Sequence, residues 1–347
     1  MNKMETLLKN TVEVVTPSEL EIVLQKNNPR GYIGFEPSGT VHLGWKICTN
    51  KIKDFLACGF EFKVLLADWH AYINDKLGGD IEKIKMCGKY MEDCFSAMGI
   101  DKNQVDFVYA SDYVGDSDYW EQVLRASKST SVARVKRAMD IMGRDEAEAE
   151  RDLSKLFYPA MQVSDIFYLN VDVAYGGMDQ RHAHMLARDI AKKINKKPPV
   201  AIHTPLLTGL QAGSRMDPTD VKMSKSKPDS MISIHDQPDE IKRKMKKAYC
   251  PEKIVEGNPV LEMCKFVIFP ELNDEVFCIN RPEKFGGNLE FASYDILEQA
   301  FIDGLHPLDL KNATTMYLNQ ILEPIHDYFN RHTEAYETMK NLGIITK

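Results

Sequence analysis

The chain has no apolar run approaching the roughly 20 residues that a membrane-spanning helix needs. Its longest runs, such as FVIF at 266–269, stop after a single turn's worth of residues, and no membrane span is expected. The N-terminal stretch MNKMETLLKNTVEVV is broken by Lys and Glu and has neither the apolar centre nor the small-residue cleavage site of a secretory leader, so export is not expected. Seven cysteines (48, 58, 87, 94, 250, 264, 278) form no CxxC pair and no Cys/His spacing suited to zinc. An odd count also argues against a disulfide framework, leaving buried thiols in a reducing, cytoplasmic setting as the simplest reading. A surplus of positive charge is missing as well: 44 Lys and Arg against 51 Asp and Glu give a net charge of −7. A nucleic-acid partner would therefore have to be met at a local basic surface. There is no GxGxxG and no GxxxxGK[ST], which removes the usual dinucleotide fingerprint and the P-loop.

What remains is a chain of 347 residues, 44% hydrophobic and 27% charged, long enough for a large domain with an appendage or for two domains. Strand-like runs alternate with helical spacing through its first two thirds. YIGFE (32–36), EFKVLLAD (61–68), VDFVYA (105–110), DVAYGG (172–177) and VAIHTPLL (200–207) read as strands. Between them, Leu43, Ile47, Ile52, Phe55 and Leu56 recur at helical spacing from about His42 until Gly59, and DIEKIKMCGKYMEDCFSAMGI and QRHAHMLARDIAKKI read as further helices. This βαβ alternation predicts a parallel sheet with helices on its faces. Residues 116–157 carry no comparable strand and predict a helical insertion between the two halves of the sheet. Beyond about residue 233 the pattern is mostly helical, with a boundary expected near 231–236.

Two polar stretches interrupt this pattern. GYIGFEPSGTVHLGW (31–45) ends a first strand in a turn and then places His42 and Gly44 where a helix begins. Amides at a helix start favour an anion, His42 can donate to a phosphate oxygen, and Gly44 would let a flat ring approach the backbone. Alone, this pattern is equally compatible with a structural turn. Far downstream, SRMDPTDVKMSKSKPDS (214–230) sets Lys222 and Lys225 three apart with serines interleaved. Such cations could converge on a polyphosphate and stabilise charge on a leaving pyrophosphate. A third stretch, LFYPAMQVSDIFYL (156–169), spaces Tyr158, Gln162 and Asp165 at i, i+4 and i+7, which aligns them on one helix face.

Together the HLGW and KMSKS segments resemble the two signatures of class I aminoacyl-tRNA synthetases, and the Tyr158/Gln162/Asp165 stripe resembles the substrate helix of tyrosyl-tRNA synthetases of archaeal and eukaryotic type. The resemblance implies a Rossmann-like α/β catalytic domain over 1–232, with a connective insertion at about 113–157 and the KMSKS loop at 214–230. A mostly α-helical anticodon-binding domain would follow over 233–347. It implies that His42, Lys222 and Lys225 act in catalysis, and that Gly34, His42, Gly44, Lys222, Met223, Ser224 and Lys225 bind ATP. Tyrosine would be held by Tyr32, Leu65, His70, Tyr158, Gln162, Asp165 and Gln180, with Tyr158, Gln162 and Gln180 at the ammonium end and Asp165 and Tyr32 at the phenol. Arg134, Lys136, Arg137, Phe285 and Asp309 would meet tRNA(Tyr). Mg²⁺ is implied without an assigned protein site, and a homodimer through the insertion is implied too. One position departs from the pattern: the fourth residue of the first signature is Trp45 rather than His. The tryptophanyl enzymes share both signatures, but Asp165 and Tyr32 favour a phenol. A buried carboxylate left unpaired would reject phenylalanine.

Overall fold

The computed structural model describes residues 2–140, 152–211, 223, 228–272 and 275–345. Within them the chain forms two compact units, one of residues 1–39 and 51–205, the other of 40–50 and 206–347.

The first unit is built on a six-stranded sheet. Its strands are β1 (Glu13–Val15), β2 (Arg30–Phe35), β3 (Glu61–Leu66), β4 (Val105–Tyr109), β5 (Val173–Gly177) and β6 (Val200–Thr204), in the spatial order β1-β6-β5-β2-β3-β4. All neighbours run parallel except β1, which pairs antiparallel with β6. The central strands are the most covered, β6 along its whole length and β5 in all but its last residue, which is why they read in sequence as mostly apolar runs. The chain runs outward from β2 through β3 to β4, then returns beside β2 to form β5 and β6. The order therefore reverses between β2 and β5, and the crevice beyond their carboxyl ends is where such sheets gather ligands.

The helices follow from local chemistry. Asp80 caps the Ile81–Ala97 helix by accepting from the backbone N–H groups of Glu82 and Lys83, and that helix buries Ile84, Cys87, Tyr90, Met91, Cys94 and Phe95. Gly59, at φ +86°, ends the Trp45–Ala57 helix in the left-handed conformation that glycine tolerates. Phe55 from this helix is fully buried against the rings of Phe60, Phe62 and Tyr175. Two helices, Ser117–Lys128 and Val132–Asp140, lie between β4 and β5, as the sequence predicts for an insertion, and the Ser154–Tyr168 helix then leads back into the sheet.

The structure departs from the sequence reading at one junction. The Trp45–Ala57 helix begins three residues later than His42, because Val41–Leu43 are occupied by pairing with a distant segment: Leu43 N–H donates to the Ile232 carbonyl at 2.8 Å and Ile234 N–H to the Val41 carbonyl at 3.2 Å. These residues belong to the second unit, which is otherwise mostly helical. It contains the helices Pro238–Lys247, Pro259–Met263, Tyr294–Asp303, Pro307–Arg331 and Glu334–Asn341, and one short hairpin, Phe277–Ile279 with Leu289–Phe291. No helix among the described residues is long and apolar enough to cross a membrane.

Phe55→Ala should remove the ring around which the first unit's aromatic core packs. Large-to-small changes of this kind cost about 3–5 kcal/mol, and denaturant unfolding monitored by near-ultraviolet circular dichroism should show the shift.

Candidate active site

In the first unit, the Ser154–Tyr168 helix brings Tyr158, Gln162 and Asp165 onto one face, and the structure surrounds them with Tyr32 from β2, Leu65 from β3 and His70 from the short Asp68–Ile73 helix. Asp165 is 1% exposed, and a carboxylate so desolvated must be compensated. The compensation is one-sided. The hydroxyls of Tyr113 and Tyr119 both donate to Oδ1, at 2.8 and 2.9 Å. Oδ2 accepts from no described residue: His70 Nε2 lies 3.1 Å away, but too far off axis for a hydrogen bond. Burial first, and then the negative charge of Asp165, push the hydroxyls of Tyr113, Tyr119 and Tyr32 far above the ordinary tyrosine range, so all three stay protonated.

The other end of the stripe is arranged differently. The Tyr158 hydroxyl donates to Glu36 Oε1 at 2.6 Å, and Asn74 Nδ2 donates to both Glu36 oxygens. Gln162 Nε2 donates to Gln180 Oε1 at 2.9 Å, leaving the buried Gln162 Oε1 unpartnered. Gln180 closes the turn after β5 and sits tightly against Gly176, where a Cβ would fall 2.9 Å from its own. Of the nine buried side-chain nitrogen and oxygen atoms without a partner among the described residues, four belong to His70, Gln162 and Asp165. Each such orphan costs about 1–3 kcal/mol in the empty protein, so their concentration on two adjoining helices marks a place where a polar ligand supplies what is missing.

Gly34 is exposed at the carboxyl end of β2, and a Cβ there would meet nothing closer than 3.7 Å. No packing inside the protein demands a glycine at this point.

In the second unit, His42 forms an isolated antiparallel bridge with Ser233. Gly44 N–H donates to His42 Nδ1 at 3.1 Å. That bond requires a lone pair on Nδ1, which puts the proton on Nε2 and makes Nε2–H a donor. A Cβ on Gly44 would lie 2.8–2.9 Å from the imidazole, so the glycine is needed for the ring's position. Met223, the second residue of the second signature, is 4% exposed, and its N–H donates to the Leu207 carbonyl at 2.8 Å. Ser230 accepts from Leu210 N–H at 2.9 Å, and the chain then runs into the pairing with Val41–Leu43. Both signatures thus hang on one short set of backbone bonds. Lys222, Ser224 and Lys225 lie outside the described residues. No group of three His, Cys, Asp or Glu placed to hold a metal occurs among the described residues.

The remaining candidates are on other elements. On the Val132–Asp140 helix, Arg134 pairs with Asp189 at 2.6 Å, Lys136 is half-buried and Arg137 is exposed. In the second unit Phe285 is 62% exposed on a turn next to the hairpin. Arg281 ties that turn to the start of the Pro307–Arg331 helix, donating from Nε to the Gly287 carbonyl at 3.0 Å and standing 3.9 Å from Asp309.

Sequence reasoning missed Glu36, Tyr113 and Tyr119. Glu36 sits inside the first polar stretch without a periodic partner. Tyr113 and Tyr119 lie in and just after an irregular segment, SDYVGDSDYW, whose spacing gives no hint that both hydroxyls reach one carboxylate.

The family described as tRNA synthetases class I (W and Y) matches residues 24–323. A tyrosine–tRNA ligase of Sulfolobus acidocaldarius is 49% identical over 351 aligned positions, covering 98% of this chain and 97% of that protein. Among solved structures, tyrosyl-tRNA synthetase of Pyrococcus horikoshii complexed with L-tyrosine superposes with a TM-score of 0.90 at 42% identity, covering 98% of this chain and all of that one. The Aeropyrum pernix tyrosyl-tRNA synthetase gives a TM-score of 0.88 at 44% identity, covering 98% of each chain.

Two measurements check the geometry. Long-range proton–nitrogen correlation spectra should show His42 as the Nε2–H tautomer, and Gly44→Ala should abolish that signature. Replacing Tyr113 and Tyr119 together by Phe strips Asp165 of its donors and should cost about 3–5 kcal/mol in unfolding experiments, more than the sum of two cavity-free hydroxyl deletions at unrelated sites.

Proposed function

This chain belongs to the class I tRNA synthetases of the tryptophan and tyrosine branch, and we infer from its pocket that it activates L-tyrosine with ATP and transfers it to tRNA(Tyr). The observation that carries tyrosine is the buried Asp165 carboxylate, held through one oxygen and unpartnered at the other. A phenol O–H donating to Oδ2 would complete it. Phenylalanine brings no donor and would leave the oxygen orphaned, the situation in which hydrogen-bonding sites reject an analogue by about 10⁴–10⁵. Tyr32, with its hydroxyl close enough to be shifted by the Asp165 charge, completes the phenol end, and Leu65 and His70 form its walls.

At the ammonium end the acceptors are already in place. The Tyr158 hydroxyl spends its proton on Glu36, so toward a ligand its oxygen can only accept, and Gln162 Oε1 is a further acceptor. Gln180 fixes the Gln162 amide. Glu36 adds a negative charge behind Tyr158 that suits a cation.

Chemistry then needs little from the protein beyond placement. A carboxylate oxygen of tyrosine attacks the α-phosphorus of ATP, the bond to the bridging oxygen breaks, and pyrophosphate leaves with the electron pair. The nucleophile is already ionised, so no general base is required. His42, donating from Nε2, and Lys222 and Lys225 would stabilise the charge that develops on the phosphates, while Gly34 and Gly44, together with Met223 and Ser224, would line the nucleotide. Mg²⁺ would accompany ATP on its own phosphates. A terminal ribose hydroxyl of the tRNA next attacks the adenylate carbonyl, releasing AMP. Arg134, Lys136 and Arg137 would meet the acceptor stem, Phe285 would stack on an anticodon base, and Asp309 would accept a hydrogen bond from one. On this reading residues 1–232 are the catalytic domain and 233–347 the anticodon-binding domain of a cytoplasmic homodimer.

Amino-acid-dependent ATP–pyrophosphate exchange should run with tyrosine and not with phenylalanine or tryptophan; exchange driven by tryptophan would sink the tyrosine assignment. Asp165→Ala should lose tyrosine-dependent exchange by about 10²-fold or more while ATP binding is retained. Phe285→Ala should leave exchange intact and weaken tRNA charging by the roughly 1–3 kcal/mol that base stacking provides.

A further inference from the structure

A buried histidine pair stands behind the ammonium end of the pocket, and the chemistry described above does not use it. His184, one turn into the Arg181–Lys193 helix, is 1% exposed, and His203, on β6, is fully buried. His184 Nδ1 and His203 Nε2 are 3.0 Å apart, and His203 Nδ1 lies 2.9 Å from Glu13 Oε2. Glu13 is the cross-strand partner of His203 on the antiparallel edge strand β1. Its carboxylate is gripped from the other side by Arg181, whose Nε and Nη2 donate at 2.9–3.0 Å.

The direction of this chain of bonds is forced. Hydrogen bonding from Arg181 holds Glu13 below the ordinary carboxylate range, so it can only accept. Burial lowers both imidazoles, His184 to about 3, so both are neutral. His203 must then donate from Nδ1 to Glu13 and accept at Nε2, and His184 must donate from Nδ1 to His203. Each ring has one allowed tautomer and one allowed orientation.

That order reaches the pocket through contact. A Cβ built on Gly176 would lie 2.9 Å from the Gln180 Cβ and 3.2 Å from His184 Cε1, so the Gln180 side chain and the His184 ring both pack on the end of β5 at Gly176. Gln180 in turn accepts from Gln162 and thereby decides which way the Gln162 amide points. We propose that Glu13, acting through His203 and His184, is a remote positioning residue that holds Gln180 so that Gln162 presents its oxygen to the substrate ammonium. The proposal rests on the tyrosine-activating reading and concerns only its ammonium end.

The test compares equilibrium binding to the full chain of L-tyrosine and of 3-(4-hydroxyphenyl)propionate, which keeps the phenol and the carboxylate but lacks the ammonium. Glu13 is partly exposed at a sheet edge, so its replacement opens no cavity in the core and acts first on the hydrogen bond to His203. Glu13→Ala should weaken tyrosine about tenfold and leave the propionate unchanged, collapsing the preference between them. Glu13→Gln, which keeps an acceptor for His203 and gives up only an exposed ion pair, should stay within about twofold of the parent. Equal weakening of both ligands would mean a merely structural role and overturn the proposal, as would no change in either. If the parent itself failed to prefer tyrosine over the propionate, the ammonium reading would fall and the relay with it.

Discussion

The pocket depends on how one carboxylate is buried. Asp165 sits where water cannot reach it, and an uncompensated charge there would be prohibitive. Two phenolic hydroxyls remove the problem by converging on a single oxygen. Hydrogen bonds to a charged acceptor contribute about 1.5–3 kcal/mol each, enough to hold the side chain in one orientation. They also leave the second oxygen to face inward without a donor. Had Tyr113 and Tyr119 bonded one to each oxygen, the carboxylate would be equally well anchored and would have much less capacity left for a ligand.

The nucleotide signatures are organised by a different device. His42 and Met223 are far apart in sequence, yet each is tied by backbone hydrogen bonds to the same group of segments, Val41–Leu43, Leu207–Leu210 and Ser230–Ile234. Backbone bonds do not depend on side-chain identity. The segments therefore hold His42 and Met223 in fixed register. This also gives Trp45 a plain description: it opens the helix after the turn, with its N–H donating to the His42 carbonyl at 3.0 Å, so its backbone serves the turn whatever its ring does.

How much of this was legible in the sequence follows the separation of the partners. The five parallel strands could be read because their buried positions give short, mostly apolar runs between helical stretches. The Tyr158, Gln162 and Asp165 stripe could be read because helical spacing is local. β1 could not: it has three residues, all half-buried, and pairs with a strand nearly the whole sheet away in sequence. The helix expected from His42 starts at Trp45 because Val41–Leu43 bond to residues that no local pattern identifies. Tyr113, Tyr119 and Glu36 were missed for the same reason, since the hydrogen bonds that give them meaning span 52, 46 and 122 residues.

The two ends of the pocket carry unequal parts of its selectivity, and their burial says which part is whose. Every amino acid brings an ammonium, so on the proposed reading contacts at Tyr158 and Gln162 would strengthen the binding of right and wrong substrates alike. Such uniform binding lowers KM without discriminating. The Glu36 carboxylate is moreover already satisfied within the protein, accepting from Tyr158 and Asn74, so little is left unmade there when no ligand is bound. Asp165 differs on both counts. On the proposed reading a phenol supplies the donor its second oxygen lacks, and at 1% exposure a substrate without that donor would leave the oxygen buried and unpartnered. Because the penalty for an unmade hydrogen bond grows as the surroundings lose their solvent, discrimination is concentrated at the dry end of the pocket. The ammonium end, whose contacts every amino acid can make, would then be left to provide affinity.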